Sequence, residues 1–87
     1  MKKKPARPAV KKRKLKVEWK NLPDHWGLAT IGQDLVEADK TLRGKQRLNI
    51  LVHEALHHLA PRWSEARVVA GAELLADMLW SQRYRMV

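Results

Sequence analysis

The 87-residue chain contains no cysteine, which removes disulfides as a brace for a small fold and removes thiolate metal sites with them. Any zinc site must then be built from histidine and carboxylate, the donor set of catalytic rather than closed structural centres. No run of about 18 apolar residues occurs, and the basic N-terminus is not followed by a hydrophobic segment, so neither a membrane span nor a signal peptide is expected. The chain reads as cytoplasmic. Its length bounds it to one small domain with a modest core, which a bound metal would help to hold.

Acidic residues are missing from one stretch. In residues 1–14, MKKKPARPAVKKRK, the side chains of Lys2, Lys3, Lys4, Arg7, Lys11, Lys12, Arg13 and Lys14 supply 8 of the 18 basic groups. Residues 15–87 are left with 10 basic against 9 acidic groups, so the formal net charge of +9 belongs to the tail. With two prolines and almost nothing large and apolar, this tail cannot offset the entropy of ordering and is expected to be disordered. Lys2, Lys3, Lys4, Lys11, Lys12, Arg13 and Lys14 suit a salt-sensitive, nonspecific tether to nucleic acid, or equally a solubilising leader. No aromatic residue interleaves with these charges, so base stacking by the tail is not implied.

Residues 15–87 read as a single domain. Leu15, Val17 and Trp19 alternate with Lys16, Glu18 and Lys20, the period of a strand with one buried face. Asn21 to Asp24, with Pro23, reads as a turn. Trp26 to Ile31 and Asp34 to Asp39 read as two further strands joined at Gly32-Gln33. A helix is predicted from about Gln46 to Ala60, ended by Pro61, with an apolar stripe of Leu48, Leu51, Val52, Ala55, Leu56 and Leu59. A second helix runs from the N-cap Ser64 to about Arg83, with Val68, Val69, Ala72, Leu75, Ala76, Leu79 and Trp80 as its stripe. The expected fold is α+β: a short antiparallel sheet of about three strands on the first helix, followed by a second, antiparallel helix.

The chemistry concentrates in His53-Glu54-Ala55-Leu56-His57, an HExxH motif. Histidines four apart on a helix project from one face and can reach one ion, while Glu54 between them can touch a metal-bound water. At about 100° per residue, His53 and His57 point away from the apolar stripe, so both faces of this helix want cover. The helix should therefore lie between the sheet and the second helix.

Two glutamates compete as third ligand. Glu65 projects onto the apolar stripe of the second helix, where a carboxylate is costly unless it is used. If the helices fold back around Pro61-Arg62-Trp63, Glu65 falls beside His57, whereas Glu73 falls beside Asn49 or Ile50. Glu73 forms an E-x-x-x-D pattern with Asp77 but suits a solvated flank. His58 is one residue round the helix from the motif pair and reads as a flank residue or a donor behind the ligands. His25 reads as a surface or cap residue.

The segment HEALHHLAPRWSE, with His53, Glu54, His57 and Glu65, resembles a minimal gluzincin, a zincin-like metallopeptidase. The upstream L-x-x-L-V-H-E-A-L-H-H pattern is similar to small HExxH proteins of bacteria and phages, and more distantly to the SprT-like and ImmA/IrrE-like groups. The resemblance covers Asp34 to about Tyr84. It implies a zinc-dependent hydrolase of peptide bonds, with His53, His57 and Glu65 binding Zn²⁺ and Glu54 as general base. Tyr84 and His25 are then the candidates for steadying an oxyanion. The strand Asp34 to Asp39 would be the edge on which a peptide or protein substrate lies. Two other classes of function remain: a zinc-stabilised interaction protein without catalysis, and a nucleic-acid-associated module working through the tail. The near-neutral charge of residues 15–87 speaks against a DNA-reading helix.

Overall fold

The computed structural model describes residues 14–84; the basic tail, apart from the exposed Lys14, lies outside them. Three strands, β1 (Lys16–Lys20), β2 (Gly27–Thr30) and β3 (Leu35–Asp39), precede two helices, α1 (Gly44–Leu59) and α2 (Glu65–Ser81). The architecture is α+β, as the patterning predicts, but the sheet is mixed rather than antiparallel. Its order is β1-β3-β2, with β1 parallel to β3 and β2 antiparallel to β3.

The β2–β3 hairpin turns through Ile31 to Asp34, where Gly32 (φ 97°) and Asp34 (φ 51°) supply the left-handed backbone that a tight reversal requires. The other connection, residues 21–26, crosses the end of β3 instead of turning back beside it. Asp39 anchors that crossing. Its carboxylate accepts from the Leu22 N–H at 3.1 Å, the Thr41 N–H at 2.8 Å and the Thr41 hydroxyl at 2.6 Å. These bonds, the Thr41 hydroxyl foremost, hold the Asp39 carboxyl below its ordinary range. The backbone adds Asp39 N–H to Trp26 O and Lys40 N–H to Lys20 O, both at 2.8 Å. With β3 placed centrally, the expectation that Asp34 to Asp39 forms the edge is overturned: β1 and β2 are the edge strands.

Alternation along the strands sends Val36 and Ala38 inward, and both are buried, as is Leu42 just beyond β3. The outer face carries Lys16, Glu18, Lys20 and Glu37, with Lys20 Nζ 3.2 Å from Glu37. Helix α1 packs on β2 and β3 on one side and on α2 on the other, the central position expected of it. Between the helices Leu56, Val68 and Ala72 form the core, with Val52 against them. Small residues at Ala72 and Ala76, both fully buried, let the helix axes approach. The α1 stripe ends early, since Leu59 is exposed. Helix α2 starts as its sequence dictates: the Ser64 hydroxyl accepts from the Arg67 N–H at 3.2 Å, and Glu65 occupies the first turn. No helix among the described residues is long and apolar enough to cross a membrane.

Candidate metal centre

Helix α1 presents His53 and His57 one turn apart, their rings 5.0 Å between centroids and inclined at 66°. The short turn through Pro61 brings the first residue of α2 back over them. Glu65 meets both rings at once: Oε1 lies 2.8 Å from His53 Nε2 and Oε2 lies 3.1 Å from His57 Nε2. One donor atom from each of the three side chains falls within 4.8 Å of the others, so this group could hold a metal ion. Two imidazole nitrogens and a carboxylate oxygen would give a bound ion three protein donors and leave a further position for water or substrate.

The triad is the one expected, although Glu65 reaches it by another route. Its side chain is 66% exposed, and it stands at the mouth of the site rather than in the apolar stripe. The histidines are the more sheltered partners. Glu73 does not join them; it lies along α2 in a groove with Asn49 and Ile50, where the antiparallel pairing puts it.

Glu54 is only 7% exposed. Burial pushes its carboxyl above the ordinary value, against the pull of the neighbouring His53 and His57. It faces the same cavity of about 380 Å³ as the triad, and β2 forms the opposite wall through Gly27, Leu28 and Ala29. The approach is close because Gly27 has no side chain: a β-carbon there would stand 2.8 Å from Ile50 Cγ2 and 2.9 Å from Glu54 Cγ. A glycine at the start of a strand marks such an approach. That signal is present in the sequence, and Gly27 nevertheless goes unremarked in a reading centred on the histidines.

The free side of β2 also faces this cavity. Trp26 O accepts from Asp39 N–H, and the register continues that bonded alternation through Leu28 with Glu37 and Thr30 with Leu35. Gly27 and Ala29 therefore direct their N–H and C=O groups away from β3. No other described strand pairs with that edge.

The remaining histidines separate. His58 is buried, and its Nε2 lies 2.8 Å from Leu35 O; a carbonyl can only accept, so this nitrogen carries the proton and pins α1 to β3. Its task is to hold the helix on the sheet. His25 is exposed and lines a separate depression with Pro23 and Trp26. Tyr84 follows the far end of α2, roughly 24 Å from Glu65 at the rise of a helix, so the expectation that it serves the metal site is overturned.

The constellation defined by fold and site is a helix-borne HExxH pair joined by a glutamate on the following helix, beneath the outer edge of β2. No protein-family model, curated protein or solved structure matches the chain.

Proposed function

We propose that the protein is a zinc-dependent peptidase, with His53, His57 and Glu65 as ligands and Glu54 as general base. The observation that carries this reading is the convergence of the triad with a buried, desolvated glutamate on one cavity, under a strand edge that no other described strand pairs with. Two histidines and a carboxylate, with no cysteine in the chain, suit zinc. Zinc bound there supplies Lewis acidity to a water and to a carbonyl oxygen.

The chain's own residues do the rest. A peptide adds to the free edge of β2, bonding the backbone groups of Gly27 and Ala29, and so lays its carbonyl across Glu54 and the histidines. Glu54, its proton affinity raised by burial, takes a proton from the attacking water as that oxygen bonds to the carbonyl carbon. It passes the proton to the amine nitrogen as the C–N bond breaks, leaving an amine and a carboxylic acid, whose remaining proton goes to the amine or to solvent. Glu65, at the exposed mouth, keeps both imidazoles aimed at one point.

Hydrolysis of a labelled, unfolded protein by the zinc-loaded chain tests this. Glu54→Gln keeps the shape and removes the base, so cleavage should fall at least about hundredfold while zinc is retained. Equal cleavage by both would remove Glu54 from the mechanism, and no cleavage by the parent would leave a metal-stabilised interaction protein as the better account.

A further inference from the structure

On the face of α1 opposite the histidines, a second cavity of about 370 Å³ opens between the start of α1 and the end of α2. Its floor is apolar, from Leu48 and Leu51. Arg47, Arg83, Trp80 and Tyr84 complete its lining. Among the described residues no carboxylate forms an ion pair with either arginine. Arg47 Cζ lies 3.8 Å from the centre of the Trp19 ring, and its Nε is buried without a hydrogen-bond partner. A buried cationic donor in that state is costly to keep, and an anion would relieve it.

Arg83 adds an independent observation. Helix α2 ends in a Schellman turn, with Arg83 N–H donating to Trp80 O and Tyr84 N–H to Leu79 O, both at 3.0 Å. Arg83 occupies the left-handed position of that turn, at φ 66°, where glycine is favoured and a β-carbon is strained. The turn brings Arg83 and Tyr84 to the cavity. An arginine held at a glycine position, lining one cavity with Arg47, Trp80 and Tyr84, points to a use for its side chain.

We propose that this cavity binds a nucleotide, free or as one unit of a single strand, with its phosphate on Arg47 and Arg83 and its base against Trp80 and Tyr84. Guanidiniums match phosphate geometry with paired donors, and indole and phenol rings stack on bases of any identity. Charge complementarity favours a phosphate, which carries more negative charge than a lone aromatic carboxylate: the lining holds two arginines and neither aspartate nor glutamate. Helix α1 opens on the same cavity at Gly44, with no acidic residue in its first turn, so its field also favours an anion there. The site makes no use of the metal.

The test is a titration of the full chain, followed by NMR at the Trp80 indole N–H and the Arg47 Nε–H. The probes are adenosine monophosphate, a short single-stranded oligonucleotide and indole-3-acetate. Shifts of both signals with the monophosphate are expected for a free-nucleotide site; shifts with the oligonucleotide alone assign the cavity to a strand. Arg83→Gly should weaken the nucleotide probes by about tenfold or more, the loss of a charged hydrogen bond, while the melting temperature holds or rises because glycine relieves the turn. Arg67→Gln, the same loss of charge on α2 away from the cavity, should leave binding unchanged. The proposal is overturned if the nucleotide probes leave both signals in place, if indole-3-acetate alone moves them, or if Arg83→Gly binds as well as the parent.

Discussion

Gly27 on β2 and Glu54 on α1 pack so closely that a β-carbon on the glycine would stand 2.9 Å from the glutamate Cγ and 3.0 Å from its Oε2. The contact couples the strand edge to the proposed base: the glutamate is buried because the strand lies on it, and the strand can lie there because residue 27 has no side chain. Gly27→Ala should therefore displace either Glu54 or β2. We expect a destabilisation of about 1–3 kcal/mol, the usual cost of overpacking, and a fall in hydrolysis with zinc content unchanged. Thermal melting, metal analysis and a cleavage assay on the same preparation check this; unaltered cleavage would mean that the edge is not used.

Glu54 itself is placed at a cost to the fold. Burial raises its folded pKa above the ordinary 4.5, so the folded chain favours the protonated form, and ionisation at neutral pH weakens folding. In the metal-free protein, Glu54→Gln should consequently melt at a higher temperature than the parent at pH 7. The gain should shrink as the pH falls toward 4, where the parent carboxyl protonates. A lower melting temperature for Glu54→Gln at pH 7 would contradict the burial argument.

Asp39 works in the opposite sense. Its folded pKa is depressed below 3.8, chiefly by the Thr41 hydroxyl, so its contribution is present above the unfolded pKa and is lost as pH falls through the folded value. Melting of the parent and of Asp39→Asn should differ at neutral pH, with the variant less stable, and should converge in strong acid. A difference that stays constant down to strong acid would mean that the carboxylate charge is not what anchors the crossing.

These predictions rest on positions that differ in how far they could be read from the chain. The spacing of His53 and His57, the Ser64 cap and the Pro61 break are local, and local chemistry determines them, so both helices and the triad were legible. Strand alternation says which residues share a face but not which strand lies beside it, nor that the face is covered: on β1 the expected buried face fails, since Val17 and Trp19 are exposed. The crossing of residues 21–26 over β3 depends on the Asp39 bonds to Leu22 and Thr41, which no periodicity reveals, and with it went the identity of the edge strand. Glu65 does lie beside His53 and His57, where the helix pairing places it, but it is exposed at the start of α2 rather than sheltered in the apolar stripe. A wheel projection treats the first turn as though it were covered along its whole length.

His58 has a structural role that sets it apart from His57, the proposed ligand beside it. Its ring is buried and donates to Leu35 O at 2.8 Å, so His58→Ala should cost about 2 kcal/mol or more through the cavity left and the carbonyl left unsatisfied. Zinc content of the folded protein should not change. His57→Ala should instead remove zinc, and the melting temperature of that variant should no longer respond to chelator. Loss of zinc from folded His58→Ala would place His58 among the ligands.

The central claim is that His53, His57 and Glu65 form one metal site on which Glu73 has no hold. Its most direct test is zinc retained per chain across a graded chelator series, for the parent, Glu65→Gln and Glu73→Gln. We predict about one zinc per parent chain, release from Glu65→Gln at much lower chelator, and a Glu73→Gln curve superimposed on that of the parent. Retention by Glu65→Gln with loss from Glu73→Gln, or a parent chain that binds no zinc at all, would contradict it.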